Sequence, residues 1–209
     1  GFSRTETLNQ HDIYFDTSDW HFYNHLASFR LRLIDGADHS LTFKKVFYSP
    51  KGKQNFITEE ITIDTPFKDF KAINKLFDRL ELESPEESLI NGRTLQKHLL
   101  QLGLQSEQQV HKVRQVYVSP DAELVIDMVD NVGILIELRN TTIDTSELIQ
   151  NILEEKEWSP TAMATSFIWL KNVKEFDHHE TAFEKFTEDP QWNVWEHEQK
   201  IYKKLIKSA

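Results

Sequence analysis

The first 65 positions read as strands, and the alternation of polar and apolar residues within them constrains the fold more than any other feature. In ASFRLRLIDGADHSLTFKK, Ala27 to Lys45, a β-strand would put every second side chain on one face. Arg30 and Arg32 then share a face, and Phe29, Leu31 and Leu33 share the other. In the next run Thr42 and Lys44 face one way, Leu41 and Phe43 the other. DGADH, with Gly36, reads as the hairpin connection between them. HDIYFDT (His11 to Thr17) reads as a preceding strand. After a turn at SPKGKQN, FITEEITID (Phe56 to Asp64) sets Ile57, Ile61 and Ile63 against Thr58, Glu60 and Thr62.

The period then changes. Phe67, Phe70, Ile73, Leu76, Phe77 and Leu80 recur at helical spacing, with Pro66 near the expected helix start. A second helix is expected over Leu95 to Leu102, closed by Gly103. Gln109 to Val118 returns to strand. AELVIDMV and GILIELRN form a hairpin about the turn Asp130 to Gly133. DTSELIQNILEEKEW reads as a helix capped by Thr145 or Ser146, and SPTAMATSFIWLKNV as another with Pro160 near its first turn. After Val173, two helix-like stretches flank Pro190, and the last is amphipathic through Trp192, Trp195, Ile201, Leu205 and Ile206. The expected class is α+β: an antiparallel barrel or strongly curved sheet flanked by helices. The expected division is a domain over residues 1–175 and a C-terminal helical appendage over 176–209.

Hairpin strands of this kind have one apolar face and one polar face, and a solvated outer face is the ordinary use of the polar one. Here the polar faces carry formal charges at close spacing: Arg30 and Arg32, Lys44, Glu60, Lys112 and Arg114, then Glu123 and Asp127, then Glu137 and Arg139. If the apolar faces turn outward under helices, these charges line a lumen. Arginine and lysine neutralise phosphate oxygens, and carboxylates bridge Mg²⁺ to phosphates. A lumen with both signs therefore suits a polyvalent anion and a metal.

Composition narrows the alternatives. The 209 residues carry a net charge of -10, which argues against general nucleic-acid binding and makes any anion site a local basic concentration. No run is apolar enough for a membrane span. The absence of cysteine fits a reducing cytoplasm. His21 and His25 are read as lying in a strand-to-strand loop, where a spacing of four has no meaning, so no zinc site is expected. ILEEKEW reads as a solvated helix face. The chain has no glycine-rich phosphate loop and no nucleophile-elbow serine.

The ordered set of strands resembles the CYTH domains, or triphosphate tunnel metalloenzymes. YFDT resembles that family's Tyr-Phe-Asp-Thr strand, FRLRL its Leu-Arg-x-Arg strand, LTFKK its Leu-Thr-x-Lys strand and KVRQVY its Lys-x-Arg strand. LVIDMVDNVGILIELRN is similar to its Asp strand, glycine turn and Glu-x-Glu strand, and TSFIWL to its Lys-Ser-Tyr helix. The resemblance covers His11 to Val173. It implies an eight-stranded antiparallel tunnel that binds triphosphate with Mg²⁺ or Mn²⁺, as an inorganic triphosphatase, a thiamine triphosphatase or a class IV adenylate cyclase does. Carried over by position, Arg30, Arg32, Lys44, Lys112 and Arg114 hold phosphates. Asp127 and Glu137 serve the metal side, with Glu60 where the family often has an acid.

Three departures bear on activity. The family's N-terminal Glu-x-Glu-x-Lys strand has no counterpart, since only 13 residues precede Tyr14; because the chain opens on Gly1, the expectation is that something precedes it. The second acid of Glu-x-Glu is Arg139, which adds a cation to the phosphate-binding set and weakens metal binding. The lysine of Lys-Ser-Tyr is Thr165. The leading expectation is a triphosphatase that cleaves a terminal phosphoanhydride. The alternatives are an anion- or nucleotide-binding tunnel without turnover, and cyclase-like activity. The expected partner is a small-molecule triphosphate or nucleotide, with a homodimer as the one protein assembly to consider.

Overall fold

The computed structural model describes residues 1–48, 56–86, 91–139, 165, 168, 172–173, 189, 191 and 194–208. The chain divides into two units, Gly1–His11 with Val110–Glu175 and Asp12–Gln109 with Phe176–Ala209. Strand β1 (Ser3–Asp16) contributes to both. It begins eight residues before the expected strand. The fold is α+β and antiparallel.

The second unit holds residues 12–16 of β1, a one-turn helix α1 (His21–Asn24), β2 (Ala27–Ile34), β3 (Ala37–Tyr48), β4 (Phe56–Asp64), α2 (Phe70–Arg79) and α3 (Gly92–Gln101). Its strands hydrogen-bond in the order β4-β3-β2-β1. Phe29 pairs with Phe43 and Leu31 with Leu41 across β2 and β3, and Phe43 with Ile61 and Leu41 with Ile63 across β3 and β4. That register stacks the apolar residues on one face, where period-two alternation puts them. Ile73, Leu76 and Phe77 of α2 and Leu95 and Leu99 of α3 pack onto that face with Phe15, Phe29, Leu31, Leu41 and Phe43. The apolar faces of β2 and β3 thus carry helices, as the alternation implied.

Helix boundaries follow their caps. Asp69 accepts from the Ala72 N–H, so α2 starts at Phe70, and Pro66 lies outside it. Asn91 and Thr94 close a reciprocal capping box, which starts α3 at Gly92, three residues before the expected start. The loop expected around His21 and His25 is corrected. His21–Asn24 is helical, the two imidazole rings lie 4.4 Å apart, and His25 Nδ1 contacts the His21 carbonyl at 2.7 Å. The turn is held by Asp16, whose carboxylate accepts from the N–H groups of Thr17 and Phe22 at 2.8 Å and of Tyr23 at 2.9 Å.

Part of the tail set apart in the sequence belongs to this unit's interior. A short 3₁₀ turn (Glu196–Glu198) leads into α4 (Gln199–Ser208). Val194 and Tyr202 pack with Phe47 and Ile57. Trp195 packs against the main apolar cluster.

The first unit holds residues 3–11 of β1, residues 110–118 of β5 (Gln105–Val118), β6 (Glu123–Val129) and β7 (Gly133–Arg139), ordered β1-β5-β6-β7. Val129 pairs with Gly133, whose positive φ of 110° closes the β6–β7 turn without a side-chain clash. In this unit the face that carries Asp127 is the one turned inward. Val125, Asp127 and Val129 are buried together, while the opposite face exposes Met128, Ile134 and Ile136. The helices expected to cover such faces, over 144–158 and 159–173, lie almost wholly outside the described residues, as do the turn at 49–55 and the proposed caps Thr145 and Ser146. Thr165 is helical. Among the described residues no helix is long and apolar enough to cross a membrane.

Candidate anion-binding clusters

Two clusters gather the sequence-predicted residues, one in each unit. In the second unit, β2–β3 pairing sets Arg30 opposite Thr42, Arg32 opposite Ser40 and Ser28 opposite Lys44, and β3–β4 pairing sets Lys44 opposite Glu60. Over these positions one face of three strands is polar. Asp12 of β1 is 0% exposed and receives both arginines. Arg32 donates Nε to Oδ1 and Nη2 to Oδ2, each at 2.6 Å. Arg30 donates Nη1 to Oδ2 at 3.3 Å and to the Tyr14 hydroxyl at 3.4 Å. Burial raises the Tyr14 phenol above its ordinary range, partly opposed by the charge on Arg30. The Arg30 Nε is buried and has no hydrogen-bond partner among the described residues.

Lys44 and Glu60 form a looser pair on the same face, 3.7 Å apart and half exposed. The adjacent Lys45 points to the opposite face, where the alternation places it, and belongs to a separate buried network.

In the first unit, β5–β6 pairing sets Arg114 opposite Asp127 and Lys112 opposite Val129. Arg114 donates Nε to Asp127 Oδ1 at 2.7 Å and Nη2 to Oδ2 at 2.6 Å, and Lys112 donates Nζ to Oδ2 at 2.8 Å. Burial works to raise the Asp127 pKa, but the hydrogen bond from Arg114 and the charges of Lys112 and Arg114 outweigh it and hold the group below the ordinary carboxylate range. Arg139 bonds Glu137 at 2.5 Å and lies 3.7 Å from Glu123. The hydrogen bond to Glu137 holds the Arg139 guanidinium above its usual pKa, against the effect of its partial burial.

Two features of these clusters were missed in the sequence. Asp12 and Tyr14 share a face of β1 by the same alternation that pairs Arg30 with Arg32, so the signal was present. Its meaning depended on β1 lying beside β2.

The carboxylates expected to serve a metal, Asp127, Glu137 and Glu60, are all engaged by cations. Both oxygens of Asp127 are occupied by two cationic side chains, and Glu137 is bonded by Arg139. Glu60 stands beside Lys44. Among the described residues no three His, Asp or Glu side chains are grouped so that they could hold a metal ion. Within either unit taken alone, these acids do not fit a divalent cation.

What the clusters can do is present guanidinium and ammonium groups to an anion. At the centre of each, two cations two residues apart on one strand meet one buried aspartate, a triad with one net positive charge.

Comparison with known proteins bears on the fold and the family. No curated protein matches the sequence. Among solved structures, a putative adenylyl cyclase from Hippeastrum, described as having a dominant triphosphatase activity, aligns at 16% identity over 78% of this chain and 81% of its own, with a TM-score of 0.50. It supports the fold. The PH1819 protein of Pyrococcus horikoshii aligns at 20% identity over 83% of this chain and 87% of its own, with a TM-score of 0.49. A putative adenylate cyclase from Bacillus halodurans aligns at 16% identity over 82% and 83%, with a TM-score of 0.47. A CYTH domain matches residues 1–160, and the chain belongs to the CYTH family.

Proposed function

We propose that this chain binds a linear triphosphate, free or attached to an organic group, and that its phosphate-binding groups are Arg30, Arg32 and Lys44 in the second unit and Lys112, Arg114 and Arg139 in the first. CYTH proteins bind triphosphate or nucleotide substrates and are generally metal-dependent. The observation that carries the reading is the repeated cation pair. Each unit sets two cationic side chains two residues apart on one strand, beside one buried aspartate. Guanidinium and ammonium groups held this way offer charge-assisted hydrogen bonds to phosphate oxygens. Phosphoryl transfer depends mainly on such positioning and charge stabilisation, so the same groups would serve hydrolysis of the terminal phosphoanhydride. The Hippeastrum protein, described as having a dominant triphosphatase activity, supports the same reaction.

Binding without turnover is the second reading. It is favoured by Arg139, which ties up Glu137 and puts a cation where the family has a carboxylate. Phosphate release from tripolyphosphate, ATP and thiamine triphosphate, each with Mg²⁺, Mn²⁺ or EDTA and alongside thermal shift, separates the two. Release with either metal and none with EDTA supports the triphosphatase and names its metal. Stabilisation by tripolyphosphate without release supports the binding protein. Neither release nor stabilisation would sink both readings.

A further inference from the structure

We propose that Asp12 is a positioning residue of the phosphate site: it locks Arg32 in place and leaves Arg30 as the guanidinium that meets the anion. This rests on the triphosphate-binding reading above. A guanidinium binds a carboxylate or a phosphate most strongly along the edge that presents two parallel N–H bonds. Arg32 commits its Nε–Nη2 edge to the two oxygens of Asp12, at 2.6 Å each. That edge is unavailable to a ligand while Asp12 holds it.

Arg30 is disposed differently. It reaches Asp12 only through Nη1, at 3.3 Å, with a second bond from Nη1 to the Tyr14 hydroxyl. Its Nε is buried with no partner among the described residues. A buried donor without an acceptor is costly, and a native structure supplies a reason for it. A phosphate oxygen delivered by the ligand is such a reason. Two adjacent arginines that look equivalent in the sequence therefore have different tasks. Arg32 anchors the acid, and the anchored acid steadies Arg30 through Nη1, so that Arg30 keeps an N–H free for the ligand. Asp12 also offsets part of the repulsion between the two cations before any anion arrives.

The same grip recurs in the first unit, where Arg114 commits Nε and Nη2 to Asp127 and Lys112 supplies the second contact. An acid that takes the fork of one cation and a single bond from the other is thus a repeated device.

The test is a tripolyphosphate titration of the full chain, with a melting temperature recorded for each variant. Asp12→Asn should weaken binding at least tenfold in protein that remains folded, and Asp12→Glu should recover part of that loss. In an Arg30→Gln background Asp12→Asn should change affinity less than twofold, because the group it positions is gone. Unchanged affinity in folded Asp12→Asn, or an equal loss with and without Arg30, would overturn the proposal, because a merely structural acid lowers stability without that coupling. Should Asp12→Asn not fold, Arg32→Lys is the second variant. It keeps the charge but cannot engage both oxygens, so it should also weaken binding at least tenfold, and unchanged binding would overturn the proposal. If the wild type fails to bind tripolyphosphate, this inference falls together with the triphosphate reading. If the wild type binds, Arg30→Gln weakens it and Asp12→Asn does not, the positioning role alone falls.

Discussion

Lys45 Nζ donates to Glu198 Oε2 at 2.5 Å across 153 positions of sequence, and neither side chain reaches solvent. The ammonium also lies 3.5 Å from the centre of the Trp195 ring, and Arg79 pairs with both Glu59 and Glu198. Burial pulls the Lys45 ammonium down to about 8, and Glu198 opposes that shift. A buried ion pair of this kind adds little net stability over an apolar pair, but removing one partner strands the other. Its effect here is to fix residues 194–208 against β3 in one arrangement. Glu198→Ala should cost about 3–5 kcal/mol in urea unfolding, and joint Lys45→Met and Glu198→Leu substitution should recover most of that. A single variant that unfolds like the wild type would show that the network does not hold the segment.

Lys44 makes the complementary prediction, one residue away on the other face. Its partner Glu60 is 3.7 Å distant and both side chains are about half exposed, so the pair adds under about 0.5 kcal/mol to stability. Lys44→Ala should leave the melting temperature almost unchanged and weaken tripolyphosphate binding roughly tenfold or more, the worth of one hydrogen bond to a charged group. Titration and melting curves on the same preparation check both halves.

Asp16 supplies a pH dependence. Burial pushes its carboxyl from 3.8 up to about 6, against the three backbone N–H donors that pull it down. The folded state then holds the proton more tightly than the unfolded state. Its contribution, about 3 kcal/mol, is fully present below roughly pH 4 and is lost as pH rises through about 6. The difference in stability between the wild type and Asp16→Asn should therefore shift in favour of the variant from pH 4 to pH 7. A difference that stays flat across that range would contradict the assignment.

Gly92 opens α3 against Asp38, whose carboxylate accepts the Gly92 N–H at 2.7 Å. A β-carbon at Gly92 would collide with that carboxylate. Gly92→Ala should cost about 1–3 kcal/mol through the displaced hydrogen bond. In an Asp38→Ala background the same change should be neutral or stabilising, because alanine favours the helix. Equal losses in both backgrounds would mean that Asp38 is not the obstacle.

Much of the second unit could be read from its periodicity. Alternation at Phe29–Leu33 and Leu41–Lys44 gave both faces of β2 and β3, and the 3.6-residue recurrence of Ile73, Leu76 and Phe77 gave the buried face of α2. Three features could not be read that way. The helix His21–Asn24 is a single turn, too short for any period, and it is held by the Asp16 carboxylate from the end of β1. Lys45 falls on the apolar face by alternation, and only Glu198, far along the chain, makes that position tolerable. In β6 and β7 alternation separates the faces but does not say which is turned inward. The buried one proved to be that of Val125, Asp127 and Val129. As for the site, the cations were legible as spaced arginines and lysines, whereas Asp12 needed a neighbouring strand to give it meaning.

Arg30 and Arg32 of β2, one meeting the triphosphate and the other held by Asp12, are the pair on which the proposed site depends. The most direct measurement is calorimetric titration of tripolyphosphate into the wild type and into the Arg30→Ala, Arg32→Ala double variant, with folding of both confirmed by thermal melting. The wild type should bind saturably and the double variant at least a hundredfold more weakly, because hydrogen bonds to charged groups are worth about 1.5–3 kcal/mol each. Equal affinities in two folded proteins would contradict it.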